Sequence, residues 1–203
     1  MTRYLITGNR GYIGSKLQEK LEEQEHEVMG IDLKDGRDIL QLVHDDGMLP
    51  NPLHYRHDYY DFEPEVIIHL AAFPKVKYSV ENPSFTMMEN VLGASKVLEF
   101  AKNVGAKRVI FASSAAVYGG TEGQPKSPYG LQKKVTEMEC ELYSKIYGLD
   151  TVSLRFFNVF SEERPTDGAY STVITAWQES LKEGEPLIIH GDGKQTRDFI
   201  YLD

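Results

Sequence analysis

One cysteine in 203 residues, Cys140, leaves no partner for an internal disulfide, which excludes the stapled framework of small secreted domains. No apolar run approaches the roughly 18 residues that a bilayer-spanning helix needs. The polar, charged N-terminus has no apolar leader segment. The expected setting is therefore the reduced cytoplasm, with no membrane partner. Cationic residues are the minority charge: 22 Lys and Arg stand against 31 Asp and Glu, a net charge of -9. Nucleic acids and anionic membranes bind through a cationic footprint, so neither is expected, and a bound anion must be held locally by backbone amides and a few arginines. Internal repeats, low-complexity tracts and interdomain linkers are absent too. His54 and His57 beside Asp58 lack further ligands at a recognisable spacing, so no metal is expected.

What is present begins at Tyr4-Leu5-Ile6-Thr7, an apolar run that breaks into Gly8, Gly11 and Gly14, spaced three apart, before a helical pattern starts at Leu17 and Leu21. Glycine lets the chain turn tightly and lets a pyrophosphate approach without a Cβ in the way. The helix N-terminus then offers free amides and its positive dipole end to the anion. Alone, such a spacing arises by chance in roughly one chain of ten with this glycine content; its placement between strand and helix carries the weight. A second short strand, Glu27–Ile31, ends in Asp32, where a dinucleotide-binding unit places the acceptor for the ribose hydroxyls. A carboxylate there would repel a 2′-phosphate, which favours NAD.

Residues 35–65 read as an irregular surface insertion, with only Ile39–Val43 looking helical. Order returns at Val66–Ala72, a continuous apolar run of the kind that strands buried on both faces show. Pro83 opens a periodic segment with Phe85, Met88, Val91, Leu92, Val97 and Leu98 on one stripe, closing near Gly105. The strand Arg108–Ala112 stops at Ser113-Ser114, and after a glycine-rich loop a helix runs from about Pro128 to Tyr147. A strand at Val152–Phe157, a helix at Thr172–Lys182 and a short strand at Pro186–His190 follow. Strands alternating with helices predict an α/β, Rossmann-like doubly wound parallel sheet with helices on both faces and ligands at the carboxyl ends of the strands. The glycine turn, Asp32, Ala71-Ala72 and Ser113-Ser114 all fall at such ends.

Tyr129 and Lys133 stand at i and i+4, so on a helix the ammonium can sit near the phenol. A tyrosine of ordinary pKa about 10 is no base at neutral pH, but an adjacent ammonium, a cationic ring and a hydroxyl donor each favour the phenolate. Ser114 is the candidate donor. Tyr12 and Lys16 repeat the spacing inside the glycine turn, where cofactor packing would occupy them.

Taken together, these residues resemble the extended short-chain dehydrogenases/reductases, specifically the NAD-dependent nucleotide-sugar epimerases and dehydratases. The likeness rests on Thr7-Gly8-x-x-Gly11-x-x-Gly14, Asp32, His69–Ala72, Asn90-Val91, Ser113-Ser114 with Val117–Gly119, Tyr129-x-x-x-Lys133, Phe157–Val159, and Gly191–Gly193 followed by Thr196–Phe199. The resemblance implies Tyr129 as catalytic acid and base, Lys133 as the group that holds the ribose and lowers the tyrosine pKa, and Ser114 as the donor polarising the reacting oxygen. It implies NAD contacts from Gly8, Arg10, Gly11, Tyr12, Ile13, Gly14, Asp32, Asp38, Ile39, Leu70, Ala71, Ala72, Asn90 and Phe156 as well as Tyr129 and Lys133. Ser113, Asn158 and Arg197 would hold the nucleotide sugar.

Dehydratases and decarboxylases of this kind carry an acid one or two places after the catalytic hydroxyl. Ala115 and Ala116 stand there instead, so the resemblance implies epimerisation: oxidation at a sugar carbinol, rotation of the keto-sugar and return of the hydride. A one-way ketoreductase and a catalytically idle NAD-binding module acting with a partner are the alternatives. The family's chains run further than Asp203, so the expected organisation is an NAD-binding domain over 1–165 and the beginning of a truncated substrate lobe over 166–203. A homodimer through two long helices, Phe85–Asn103 and Tyr129–Tyr147, is also implied.

Overall fold

The computed structural model describes residues 1–43, 55–120, 123–162, 173–189 and 191–202; His54 lies outside them, and of His57 only the backbone is described. Five strands, β1 (Arg3–Thr7), β2 (Glu27–Ile31), β3 (Val66–His69), β4 (Arg108–Ser114) and β5 (Asp150–Phe156), form one sheet in the order β2-β1-β3-β4-β5. The pairings of β1 with β2, β1 with β3 and β3 with β4 are parallel, with Thr7 level with both Ile31 and His69. The chain winds outward from β1 to β2 and then returns to lay β3 on the other side. Such a reversal opens a crevice beyond the carboxyl ends of β1 and β3.

The longest helices of the crossovers are α1 (Tyr12–Glu23) between β1 and β2, α5 (Gly93–Val104) before β4 and α6 (Pro128–Tyr147) between β4 and β5. Leu5, Ile31, Ile67, Val109 and Phe111 from the strands close the core against Val97, Leu98, Phe100 and Ala101 of α5 and Cys140 of α6. Each fully buried side chain of this size contributes roughly 1.5–3 kcal/mol. The α6 helix starts cleanly because Ser127 accepts the Gly130 amide and Pro128 occupies the first turn; it stops at Gly148 in the left-handed region.

Three segments depart from the sequence reading. Residues 35–65 contain a helix, α2 (Tyr55–Phe62), whose buried contact is an aromatic one: Tyr59 is 1% exposed and donates its hydroxyl to the Gly30 carbonyl. The helix after Pro83 runs unbroken to its cap at Gly105 but widens midway: α4 (Pro83–Met87) passes through a π turn over Met88–Leu92 into α5. The widened turn carries Asn90 inside, 2% exposed. Residues 186–189 of the expected strand Pro186–His190 form no strand, and His190 lies outside the described residues; the Ile188 carbonyl accepts the indole N–H of Trp177 in α7 (Val173–Glu183).

The chain divides into two compact units, Met1–Arg155 and Phe156–Asp203. In the second, β6 (Asn158–Phe160) pairs in parallel with β7 (Phe199–Tyr201), and Phe160 packs edge-on against Phe199 and Tyr201.

Candidate functional site

The glycine turn is built by backbone contact. Gly8 has φ +76°, and a Cβ there would lie 2.8 Å from the Ala71 nitrogen, so β1 and β3 can leave the sheet side by side only without that carbon. A Cβ on Gly14 would stand 2.2 Å from the Gly8 carbonyl oxygen. Gly11 is the N-cap of α1 and, lacking a side chain, supplies no side-chain cap to the helix's first turn. Beside it, the Asp32 carboxylate accepts the amide of Arg10 at 3.1 Å on one oxygen and that of Lys34 at 2.9 Å on the other. The side chain of Arg10 pairs with Asp35.

Asp32, Asp38, Ile39, Ala71 and Ala72 line one cleft of about 240 Å³. Asp38 caps the short helical turn that buries Ile39, accepting the Leu40 amide at 2.9 Å. Phe73, Arg37 and Glu89 line the same cleft. Arg37 is anchored to Tyr59, and burial, followed by the charge of Asp38, raises the Glu89 pKa above its usual range. None of these three was named from the sequence, although each stands next to a residue that was: Arg37 beside Asp38, Phe73 beside Ala72 and Glu89 beside Asn90. Behind the cleft, Thr7 Oγ1 lies 2.7 Å from His69 Nδ1 and accepts the Ala71 amide, while Leu70 donates its amide to the Thr7 carbonyl. Burial, with the nearby Lys133 charge, pushes the His69 pKa down to about 3, so the ring is neutral.

Asn90 faces inward from the π turn and grips backbone: its Oδ1 accepts the Phe73 amide at 2.7 Å, and its Nδ2 donates to the Phe73 carbonyl and to Gln132 Oε1. It therefore fixes the loop that follows Ala72. Gln132, fully buried between Tyr129 and Lys133 in α6, passes the link on to Thr86.

The α6 helix brings Tyr129 and Lys133 together on its buried face, 7% and 3% exposed, with Lys133 Nζ 5.8 Å from the Tyr129 ring centre. The Tyr129 amide donates to Ser79 Oγ of the short helix α3 (Val76–Glu81). Lys133 donates to the Ala112 carbonyl at 2.8 Å, and burial pushes its pKa down to about 7. Two residues along β4, Ser114 is partly buried and caps a 3-10 turn, Ala115–Tyr118, by accepting the Ala116 amide. Ser113 is buried beside it, and its hydroxyl donates to Glu137 of α6 rather than facing a ligand. Glu137 escaped notice in the sequence, although its i+4 spacing from Lys133 was the available signal.

In the second unit, Asn158 donates its side-chain and backbone N–H groups to the Asp198 carbonyl, and Arg197 is exposed, donating to the Thr196 carbonyl. Phe156 is half-buried at the end of β5.

Comparison with known proteins agrees with this geometry. A "Probable UDP-glucuronate 4-epimerase" of Rhizobium meliloti (strain 1021) is 33% identical over 99% of this chain and 65% of its own length. The solved structure of a UDP-N-acetylglucosamine 4-epimerase from Methanobrevibacter ruminantium M1, in complex with UDP-N-acetylmuramic acid, superposes with a TM-score of 0.82 at 32% identity, covering 99% of this chain and 69% of that one. The UDP-glucose 4-epimerase of Thermus thermophilus, solved with NAD, gives a TM-score of 0.77 at 29% identity over 98% of this chain and 70% of that one. The chain thus spans about two thirds of the length of the curated relatives it matches. The NAD dependent epimerase/dehydratase family matches residues 4–203, and the chain belongs to that family.

Proposed function

We propose that this chain binds NAD and carries the acid-base machinery of a nucleotide-sugar 4-epimerase acting on UDP-sugars. The observation that carries the reading is Tyr129 beside Lys133 on the inner face of α6, one helix-to-strand contact away from Ser114. The residues present fit the cofactor. The Gly8 and Gly14 cradle would be filled by any Cβ, the first-turn amides of α1 have no side-chain cap, and Asp32 stands at the tip of β2. Gly8 to Gly14 would take the pyrophosphate. Asp32 would take the ribose hydroxyls, and Asp38, Ile39, Ala71 and Ala72 the adenine side. When bound, NAD supplies the acceptor and donor for hydride.

The chain's own groups move the proton. Tyr129 takes it from the carbinol hydroxyl and returns it to the reformed alkoxide, while Lys133 stabilises the phenolate and Ser114 donates to the reacting oxygen. Ala115 and Ala116 offer no second acid for elimination or decarboxylation. Asn158 and Arg197 are assigned to the substrate diphosphate. The functional division follows as an NAD-binding domain over 1–165 and the start of a sugar-binding lobe over 166–203. A homodimer is supported by Leu131, Met138, Leu142 and Ile146, which are exposed along α6. No described helix is long and apolar enough to cross a membrane, and a cytoplasmic setting suits the single buried thiol of Cys140.

The test is interconversion of UDP-glucose with UDP-galactose, and of UDP-glucuronate with UDP-galacturonate, against a Tyr129→Phe control. Turnover without net change in nicotinamide absorbance is expected. Stoichiometric NADH consumption would mark a one-way reductase. NAD binding without any turnover above the control would mark a non-catalytic module.

A further inference from the structure

The end of β4 is held by two side chains of α6, one turn apart and opposite in charge. Lys133 takes the Ala112 carbonyl at 2.8 Å, and Glu137 takes the hydroxyl of the next residue, Ser113. The residue after those two is Ser114, the last of β4, which caps the 3-10 turn Ala115–Tyr118. Glu137 is itself clamped: its side chain is 6% exposed, and Arg155 of β5 donates Nε at 2.8 Å to one carboxylate oxygen and Nη2 at 2.7 Å to the other. Lys134 lies 3.6 Å away. Arg155 then lays its guanidinium over the ring of Tyr118, 4.7 Å from the centre, at the far end of the same 3-10 turn. That turn has little freedom on its other side, because a Cβ on Gly130 of α6 would come 2.5 Å from the Ala116 carbonyl oxygen.

We propose that Glu137 and Arg155 are a positioning pair for the reaction centre: Glu137 fixes Ser113, Arg155 fixes Glu137 and Tyr118, and the turn that presents Ser114 is held at both ends. The proposal rests on the epimerase reading of Ser114, Tyr129 and Lys133, and adds two residues that touch neither substrate nor cofactor. The chemistry is suited to rigidity. A bidentate guanidinium-carboxylate pair fixes direction as well as distance. The carboxylate stays ionised: burial acts to raise its pKa and is outweighed by the hydrogen bonds from Arg155 and Ser113 and the charges of Arg155 and Lys134. Arg155 in turn holds its proton more tightly than usual, chiefly through Glu137. A hydroxyl that polarises a reacting oxygen must be held to within a fraction of an ångström, and such control comes from the residues behind it.

The test uses Glu137→Gln and Arg155→Lys in the full chain, each checked by circular dichroism. Without any sugar nucleotide, amide exchange at Ala116, whose N–H is held by Ser114, should speed up at least fivefold in Glu137→Gln. Gly8, whose amide bonds to Ile31 across the sheet, should exchange at the wild-type rate. With substrate, kcat should fall at least tenfold while KM and NAD affinity stay within twofold, and Arg155→Lys should lie between. Should Glu137→Gln fail to fold, Ser113→Ala carries the same expectation. Unchanged Ala116 exchange, or unchanged kcat with only a lowered Tm, overturns the proposal. A wild-type chain that turns over no sugar nucleotide sinks the epimerase reading instead, and Ala116 exchange then decides the positioning role alone.

Discussion

Lys133 donates to the carbonyl of Ala112 at 2.8 Å, with its ammonium 4.6 Å from the centre of the Phe111 ring. An amine buried against a carbonyl and an aromatic face is poised close to neutrality, and burial sets its pKa at about 7 against an ordinary 10.5. The unfolded chain therefore binds more protons than the folded one between those values, so stability rises with pH across that window and the penalty is complete below pH 7. The ceiling of the effect is roughly 5 kcal/mol. Lys133→Met should remove the slope: urea unfolding from pH 6 to 10 should show a smaller rise than in the wild type, and the variant should be the more stable of the two at pH 6. A wild-type stability flat over this range would contradict the buried amine.

The glycine cradle predicts a binding defect separable from folding. A Cβ on Gly14 meets the Gly8 carbonyl oxygen at 2.2 Å, which is backbone and cannot swing away. Gly14→Ala should displace the turn and weaken NAD binding by at least tenfold in calorimetry. Gly36→Ala, at a left-handed glycine whose Cβ would meet nothing within 4 Å, is the strain control: it should cost stability, of order 1 kcal/mol, and leave NAD affinity within twofold. An unchanged NAD affinity in Gly14→Ala would show that the turn is not where the cofactor binds.

How much of this was written in the chain differs by element. The strand-turn-helix at Gly8–Gly14, the buried run at Val66–His69 and the Tyr129-Lys133 helix face were legible because each is a local pattern set by glycine, by apolar continuity or by i+4 spacing. The doubly wound parallel sheet and a strand-end position for Asp32 followed from them; the order of the strands did not. The helix at Tyr55–Phe62 was not legible, since the burial of Tyr59 depends on the distant Gly30 carbonyl. The π turn at Met88–Leu92 was invisible for a similar reason: its one inward polar residue, Asn90, answers to Phe73 and Gln132, 17 and 42 residues away. Glu137 shares the i+4 spacing of the Tyr129-Lys133 face, but its partners Ser113 and Arg155 lie 24 and 18 residues away on strands, and that pairing leaves no periodic trace.

The apolar stripe of α6 predicts an assembly defect. Met138, Leu142 and Ile146 are 60%, 51% and 61% exposed, far from what three such side chains on one helix face gain by being covered. Leu142→Glu should convert a dimer into a monomer in sedimentation at micromolar concentration. Because these side chains are more than half exposed, urea unfolding of the monomeric variant should still show a cooperative transition. A wild-type chain that sediments as a monomer would remove the homodimer from the reading.

Gly30 and Asn9 form a pair whose energetics can be isolated. The side chain of Asn9, 7% exposed, lies over Gly30 so closely that a Cβ there would fall 2.0 Å from Nδ2. Its Nδ2 donates to Gln18, whereas its Oδ1 is buried without a hydrogen-bond partner. An unpaired buried oxygen costs about 1–3 kcal/mol, so Asn9 strains the fold as well as filling space. Gly30→Ala alone should therefore destabilise by about 1–3 kcal/mol through overpacking. Asn9→Gly alone should cost less than a lost buried amide would suggest, since it also relieves the orphaned oxygen. In the double variant the methyl group added by Gly30→Ala enters the space that the amide vacates, and a double-mutant cycle from urea unfolding should give a favourable coupling of about 1 kcal/mol or more. Additive single effects would mean that Asn9 does not sit on Gly30 in solution.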